Sequence, residues 1–172
     1  MTNGQFGATK FNIFEDSKKF EERAMSRFDS IYYTYFNNLE KIERITNKFL
    51  QFKGHDVHLH FINSESLIID EKARKKDWED VLIEYLSNKE TSRLGWIYKN
   101  ESNYLAYLFP TKGCYFLDTK EIKAWIDNKY SNFWDCEDCK AKNIRNSEEY
   151  TTISKKVPIY LLDDLGFIYL KV

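Results

Sequence analysis

Apolar residues recur along this chain in two rhythms. Phe20, Ala24, Phe28 and Ile31 repeat every three or four positions, with Lys18, Lys19, Glu21, Glu22 and Arg23 mostly opposite, and predict a helix from about residue 17. Residues 32–36 are densely aromatic and run into Asn37-Asn38, a turn signal. Ile42 and Ile45 fit a strand or a short helix. Val57, Leu59 and Phe61 then alternate with Asp56, His58 and His60, the period of two that marks a strand. After turn residues 63–66, Leu67, Ile68 and Ile69 form a second apolar run, so residues 54–72 read as a hairpin.

Farther along, Asp77 is a good N-cap for a helix carrying Val81, Leu82, Tyr85 and Leu86, with acids in its first turn. Three apolar segments, 94–98, 104–109 and 114–117, read as successive strands with turns between them. Thr119 caps the next helix, whose buried side is Ile122, Trp125 and Ile126. Residues 127–150 are polar and poor in pattern, the place for a substrate-facing loop. Short apolar pieces at 151–153 and 157–159 lead to a final short helix near 160–165. The expected fold class is α/β (α+β), a central mixed β-sheet flanked by helices. One domain is expected over residues 1–172, with a loose start at 1–10.

Chemistry enters at the end of the hairpin. The apolar run 67–69 stops abruptly at Asp70-Glu71-Lys72, and Asp56 stands on the partner strand. Side chains two apart share a strand face, so Asp70 and Lys72 point one way and Glu71 the other. Charges beside a core are paired or bind metal. Two carboxylates at the mouth of a sheet suit a hard cation such as Mg²⁺, completed by waters and substrate phosphate oxygens. A neighbouring lysine can position water or stabilise charge developing on phosphorus. The plainer reading is a surface hairpin whose end carries a weak exposed ion pair.

Asp56, a separation of fourteen residues, then Asp70-x-Lys72 on an apolar strand resembles the PD-(D/E)xK nuclease superfamily, the restriction-endonuclease-like fold. His55 stands where the motif's name has proline. A small phage and bacterial branch of that superfamily is similar over roughly residues 40–162. The matching pieces are Ile42-Glu43-Arg44-Ile45-Thr46, Leu50-Gln51-x-x-Gly54-x-Asp56, Asp70-Glu71-Lys72-Ala73, Gly95-Trp96-Ile97-Tyr98 and Val157-Pro158-Ile159, in that order. The resemblance implies a metal-dependent DNA endonuclease in which Asp56, Asp70 and the backbone carbonyl of Glu71 hold Mg²⁺ (or Mn²⁺). Lys72 would orient or deprotonate the attacking water. It also implies a first helix that can lend an acid, here Glu21 or Glu22, against the alternative of two solvent-facing carboxylates. A duplex cutter of this size would work as a homodimer, with the aromatic surplus as interface.

Other residues fill out the expectation. Gln51 is a candidate accessory group, with a hydrogen bond to a loop backbone as its alternative. Glu84 either faces the site from behind or sits at the sheet edge. Arg74, Lys75 and Lys76, just past Lys72, would contact DNA phosphates or form a solvated charge run. With a net charge of −1, DNA binding must rest on such a local patch, because bulk charge does not supply it.

Composition bounds the rest. At 42% hydrophobic and 17% aromatic over 172 residues, the chain can bury one good core and is not disordered. No apolar run approaches the ~20 residues of a membrane span, and the start lacks a secretory pattern. A cytoplasmic protein with no membrane partner is expected. Cys136-x-x-Cys139 and Cys114 lack the second ligand pair of a structural zinc site and read as reduced thiols. His58 and His60 could bind zinc or manganese, but the sequence shows no third strong ligand nearby, so they are expected beside the metal site or facing a partner. The rival readings are a non-catalytic nucleic-acid-binding or defence-interfering module on the same fold, and a zinc-stabilised adaptor built on the cysteines.

Overall fold

The computed structural model describes residues 9–62, 65–145 and 147–172. Contacts group the chain into two compact units, Met1–Asn37 and Asn38–Val172. The described residues of the first form α1 (Thr9–Tyr35), which starts well before residue 17. Of the expected loose start, residues 1–8 lie outside the described residues and 9–10 are helical. Ala24, Phe28 and Tyr32 recur every fourth position of α1, and the Phe28 and Tyr32 rings stack 6.2 Å apart. Asn38 follows with φ +59°, the left-handed conformation that asparagine tolerates at a turn.

The second unit opens with β1 (Leu39–Arg44), so Ile42 belongs to a strand, followed by the single-turn α2 (Lys48–Gln51). Asn47 caps α2 through its side chain, which accepts from the Phe49 and Leu50 amides. The hairpin forms as the alternation predicts: β2 (Val57–Phe61) pairs antiparallel with β3 (Leu67–Ala73), Val57 opposite Ile69. Of its turn, residues 63 and 64 lie outside the described residues.

Two expectations fail next. The helix predicted after Asp77 is instead a strand, β4 (Asp80–Asn88). Val81 and Ile83 are buried, and the run Val81-Leu82-Ile83 fits a period of two as well as it fits a helix. Six residues of cross-strand pairing to a distant partner decide in favour of the strand, and β-branched Val81 and Ile83 agree with it. Asp77 caps nothing. It accepts hydrogen bonds from the Thr111 amide and hydroxyl at 3.0 and 2.8 Å and anchors a loop. The segment 94–98 also departs from a strand: after the short β5 (Arg93–Leu94), it turns into α3 (Trp96–Lys99). Gly95 allows that turn, since a Cβ there would stand 2.2 Å from the Glu84 carbonyl oxygen.

The segments β6 (Tyr104–Phe109), β7 (Gly113–Asp118) and α4 (Thr119–Asp127) follow the sequence pattern, though Asp118 rather than Thr119 is the cap. The polar stretch 127–150 is largely sheet: β8 (Glu137–Arg145) pairs antiparallel with β9 (Glu148–Pro158). Charge replaces hydrophobic alternation there. Lys156 meets Glu137 at 2.6 Å and Lys155 meets Asp138 at 2.9 Å across the two strands. A short helix α5 (Ile159–Asp164) and strand β10 (Ile168–Lys171) complete the chain.

Among the described residues the architecture is therefore α+β, with a mixed six-stranded sheet in the order β1-β2-β3-β6-β7-β10 and a second, antiparallel sheet β5-β4-β9-β8 that the pattern did not reveal. In the first sheet only β3 and β6 run parallel. One buried cluster joins the two sheets: Val81, Ile83 and Val157 from the second meet Leu105, Tyr107, Phe109, Tyr115 and Leu117 from the first, with Ile97, Ile122 and Trp125 from the helices. The Leu82 amide donates to the Tyr107 hydroxyl at 3.0 Å across the layers. Among the described residues no helix is long and apolar enough to cross a membrane.

Candidate functional site

Strand β3 is where the sheet changes from antiparallel to parallel pairing, and the acid-x-lysine pair sits at its carboxyl end. The register that places Val57 opposite Ile69 brings Asp56 alongside Asp70. The Asp56 amide donates to the Ile69 carbonyl at 3.1 Å, and its carboxylate accepts from the Glu71 amide at 2.9 Å. Asp70 is 3% exposed. Lys72, two residues on and on the same face, ion-pairs with one Asp70 oxygen. Asn100 Nδ2 donates to the other at 2.7 Å. Asn100 is itself fixed, its Oδ1 accepting from the Ser102 amide at 2.8 Å and its carbonyl from Lys123 at 2.9 Å. The Lys72 ammonium lies 5.0 Å from the centre of the Trp96 ring.

Asp56, Asp70 and Lys72 are thus brought together. Burial pushes the Asp70 carboxyl up to about 6, Lys72 opposes the shift, and the Asp56 charge adds to it. A buried carboxylate with a second one beside it and one cation in contact is an arrangement that an additional positive charge would stabilise.

The remaining predicted residues divide. Glu71 points away, as strand alternation requires, and its carboxylate meets Arg44 at 2.5 Å. Its backbone, which holds Asp56, is the part that belongs to the site. Gln51 is engaged locally, donating to the Ile45 carbonyl at 2.7 Å and accepting from Lys48. Glu84 stands on β4, not on a helix. Half-buried, it accepts from the Trp96 amide at 3.2 Å; burial raises its pKa, and Lys99 and Lys72 pull it down. It therefore reaches the site indirectly, by holding the start of α3. Glu21 and Glu22 are exposed on α1, and Glu22 lies 3.9 Å from Lys18. Arg74 lies against Trp78 and 3.7 Å from Asp80, while Lys75 and Lys76 are exposed.

No protein-family model matches the chain, and no curated protein and no solved structure matches it.

A second cluster lies on β1 and β2. Glu43 faces His58 across the strands, His60 is two residues along, and one ligand atom from each falls within 4.8 Å of the others. His60 Nε2 is 2.8 Å from Glu43 Oε2, and that hydrogen bond lowers the Glu43 pKa. Burial, then the neighbouring His55, holds His58 below the usual imidazole range. Glu43, seventeen residues from His60, is the third group that could hold a metal ion with the two histidines, and it lies outside the local sequence. Nothing short of the strand register identifies it. Asn100 is likewise missed, a turn-type residue whose buried role emerges only when β3 and β6 pair. Cys114 is buried, Cys136 and Cys139 are half-buried, and none of the three is in a disulfide.

Proposed function

We propose that this protein is a metal-dependent phosphodiesterase that hydrolyses DNA. The observation that carries the reading is the convergence of Asp56, the buried Asp70 and Lys72 at the end of β3. Two oxygen donors beside each other suit Mg²⁺ or Mn²⁺, with Asp56 and Asp70 as the holding residues and the Glu71 carbonyl as a backbone donor. When bound, the ion polarises a phosphoryl oxygen and acidifies water. The chain does the rest. Asn100 fixes one Asp70 oxygen so that the carboxylate keeps one orientation. Lys72 orients the attacking water and stabilises the charge that builds on the phosphoryl oxygens. Water oxygen bonds to phosphorus and releases a proton to solvent, the bond to the leaving sugar oxygen breaks, and that oxygen takes a proton from solvent. Lys75 and Lys76 contact neighbouring phosphates, which makes binding weaken as salt rises. Two copies serve the two strands of a duplex.

The test is cleavage of supercoiled, linear and branched DNA with Mg²⁺ and with Mn²⁺, by wild type, Asp70→Ala and Lys72→Ala. Metal-dependent cutting that both substitutions remove supports the reading. Retained DNA binding without any cutting would replace it with a binding module.

A thermal measurement checks the same carboxylates without substrate. Because the folded Asp70 pKa is raised, its contribution to stability is complete below the ordinary value of 3.8 and is lost as pH climbs through about 6. Above pH 6 the fold holds a buried charge that a divalent cation offsets. Mg²⁺ at ten times its Kd is expected to stabilise the protein by about 1.4 kcal/mol at pH 8, or roughly 3–5 °C in Tm. At pH 5 the proton competes and the gain shrinks. An equal Mg²⁺ effect in Asp70→Ala would place the ion elsewhere.

A further inference from the structure

We propose that Glu43, His58 and His60 form a zinc site, separate from the Asp56–Asp70 pair and independent of the phosphodiesterase reading. The strand register builds it. Glu43 on β1 pairs directly with His58 on β2, and His60 follows on the same face. One ligand atom from each lies within 4.8 Å of the others, so a modest side-chain adjustment closes them on one ion.

The donor set decides which ion. Two imidazole nitrogens and one carboxylate favour zinc and its transition-metal neighbours over Mg²⁺, which takes oxygen ligands. Asp56 and Asp70 offer oxygen alone, so the two sites select different metals. Three protein ligands leave the fourth tetrahedral position to water or a substrate atom. The His60 and Glu43 side chains are 33% and 42% exposed, which gives an ion a route in and a water room to bind.

Outer partners are in place as well. Ser66 Oγ lies 2.8 Å from His60 Nδ1, and His55 Nδ1 lies 3.0 Å from His58 Nε2. Hydrogen bonds of this kind fix ring orientation and tautomer around a bound metal. Lys41 approaches the other Glu43 oxygen at 3.8 Å on a 61% exposed side chain, free to turn into solvent.

The experiment is titration of the full, chelator-stripped chain with zinc chloride by calorimetry, paired with the visible spectrum of the cobalt-loaded protein. Wild type is expected to take one equivalent of zinc and to give a four-coordinate cobalt spectrum without thiolate charge-transfer bands. Glu43→Gln and His60→Gln, both at partly exposed positions, are each expected to weaken zinc at least tenfold, and Ser66→Ala about tenfold as an outer partner. Circular dichroism verifies that each variant is folded. Cys136→Ser with Cys139→Ser leaves binding unchanged. Asp70→Ala keeps the zinc equivalent while losing Mg²⁺-dependent cutting, so this proposal and the phosphodiesterase reading fail separately. Folded wild type that takes up no zinc, or zinc lost with the cysteines and kept in Glu43→Gln, overturns the site.

Discussion

Lys72→Ala is expected to slow metal-dependent DNA cleavage by on the order of 10²- to 10³-fold, the usual cost of removing one donor aimed at developing charge. Two consequences follow from the geometry. Lys72 is the cation that opposes the upward shift of the Asp70 pKa, so its loss lets burial and Asp56 push that carboxyl above about 6. Metal must then displace a more tightly held proton, and the acid limb of the residual activity moves to higher pH. Lys72 also covers the Trp96 ring, so alanine removes packing along with charge. Lys72→Met separates the two, since it keeps an apolar stem against the ring. The same loss in both variants assigns the effect to the ammonium. A methionine variant that cuts within about threefold of wild type would remove Lys72 from the chemistry.

The second large effect concerns Gly54, two residues before Asp56. Its φ is +79°, and a Cβ there would lie 2.4 Å from Asn100 Oδ1, the residue that holds Asp70. Gly54→Ala is expected to cost about 1–2 kcal/mol for the left-handed backbone. Displacement of Asn100 brings the total to about 3 kcal/mol, roughly 6–12 °C in Tm for a chain of this size. The displaced amide also frees Asp70 to rotate, so Mg²⁺ affinity falls with stability. A double-mutant cycle isolates the contact: in an Asn100→Ala background the clash is gone and Gly54→Ala should cost only its backbone part. An equal penalty in both backgrounds would show that Asn100 plays no part in it.

What the sequence reveals follows the range over which each feature is determined. The hairpin carrying Asp56, Asp70 and Lys72 is legible because alternation and turn are local, and the two-residue spacing of Asp70 and Lys72 survives any error of register. The orientation of Glu71 is legible for the same reason. Strand β4 is misread because Val81-Leu82-Ile83 satisfies both periods, and its partner β9 lies some seventy residues away. Hairpin β8–β9 is misread because β8 is mostly polar and meets β9 partly through charge pairs, which leaves little hydrophobic rhythm in residues 127–150. Trp96 is read into a strand because nothing local records that Glu84 will accept from its amide and set the turn. Glu43 and Asn100 are the instructive omissions. Each is an ordinary polar residue brought into its cluster by a partner that only the tertiary register selects.

The parallel pairing of β3 with β6 also sets a timetable. The hairpin with its acids is complete once residue 73 is made, but the amide that steadies Asp70 arrives thirty residues after it, past β4, β5 and α3. Closing that interval costs loop entropy before any contact repays it. A chain that ends short of residue 100 therefore carries the charged residues without the amide that fixes Asp70. The insertion of β4, β5 and α3 between β3 and β6 thus separates the two halves of the Asp70 cluster in sequence, and the cluster is complete only once Asn100 is in place.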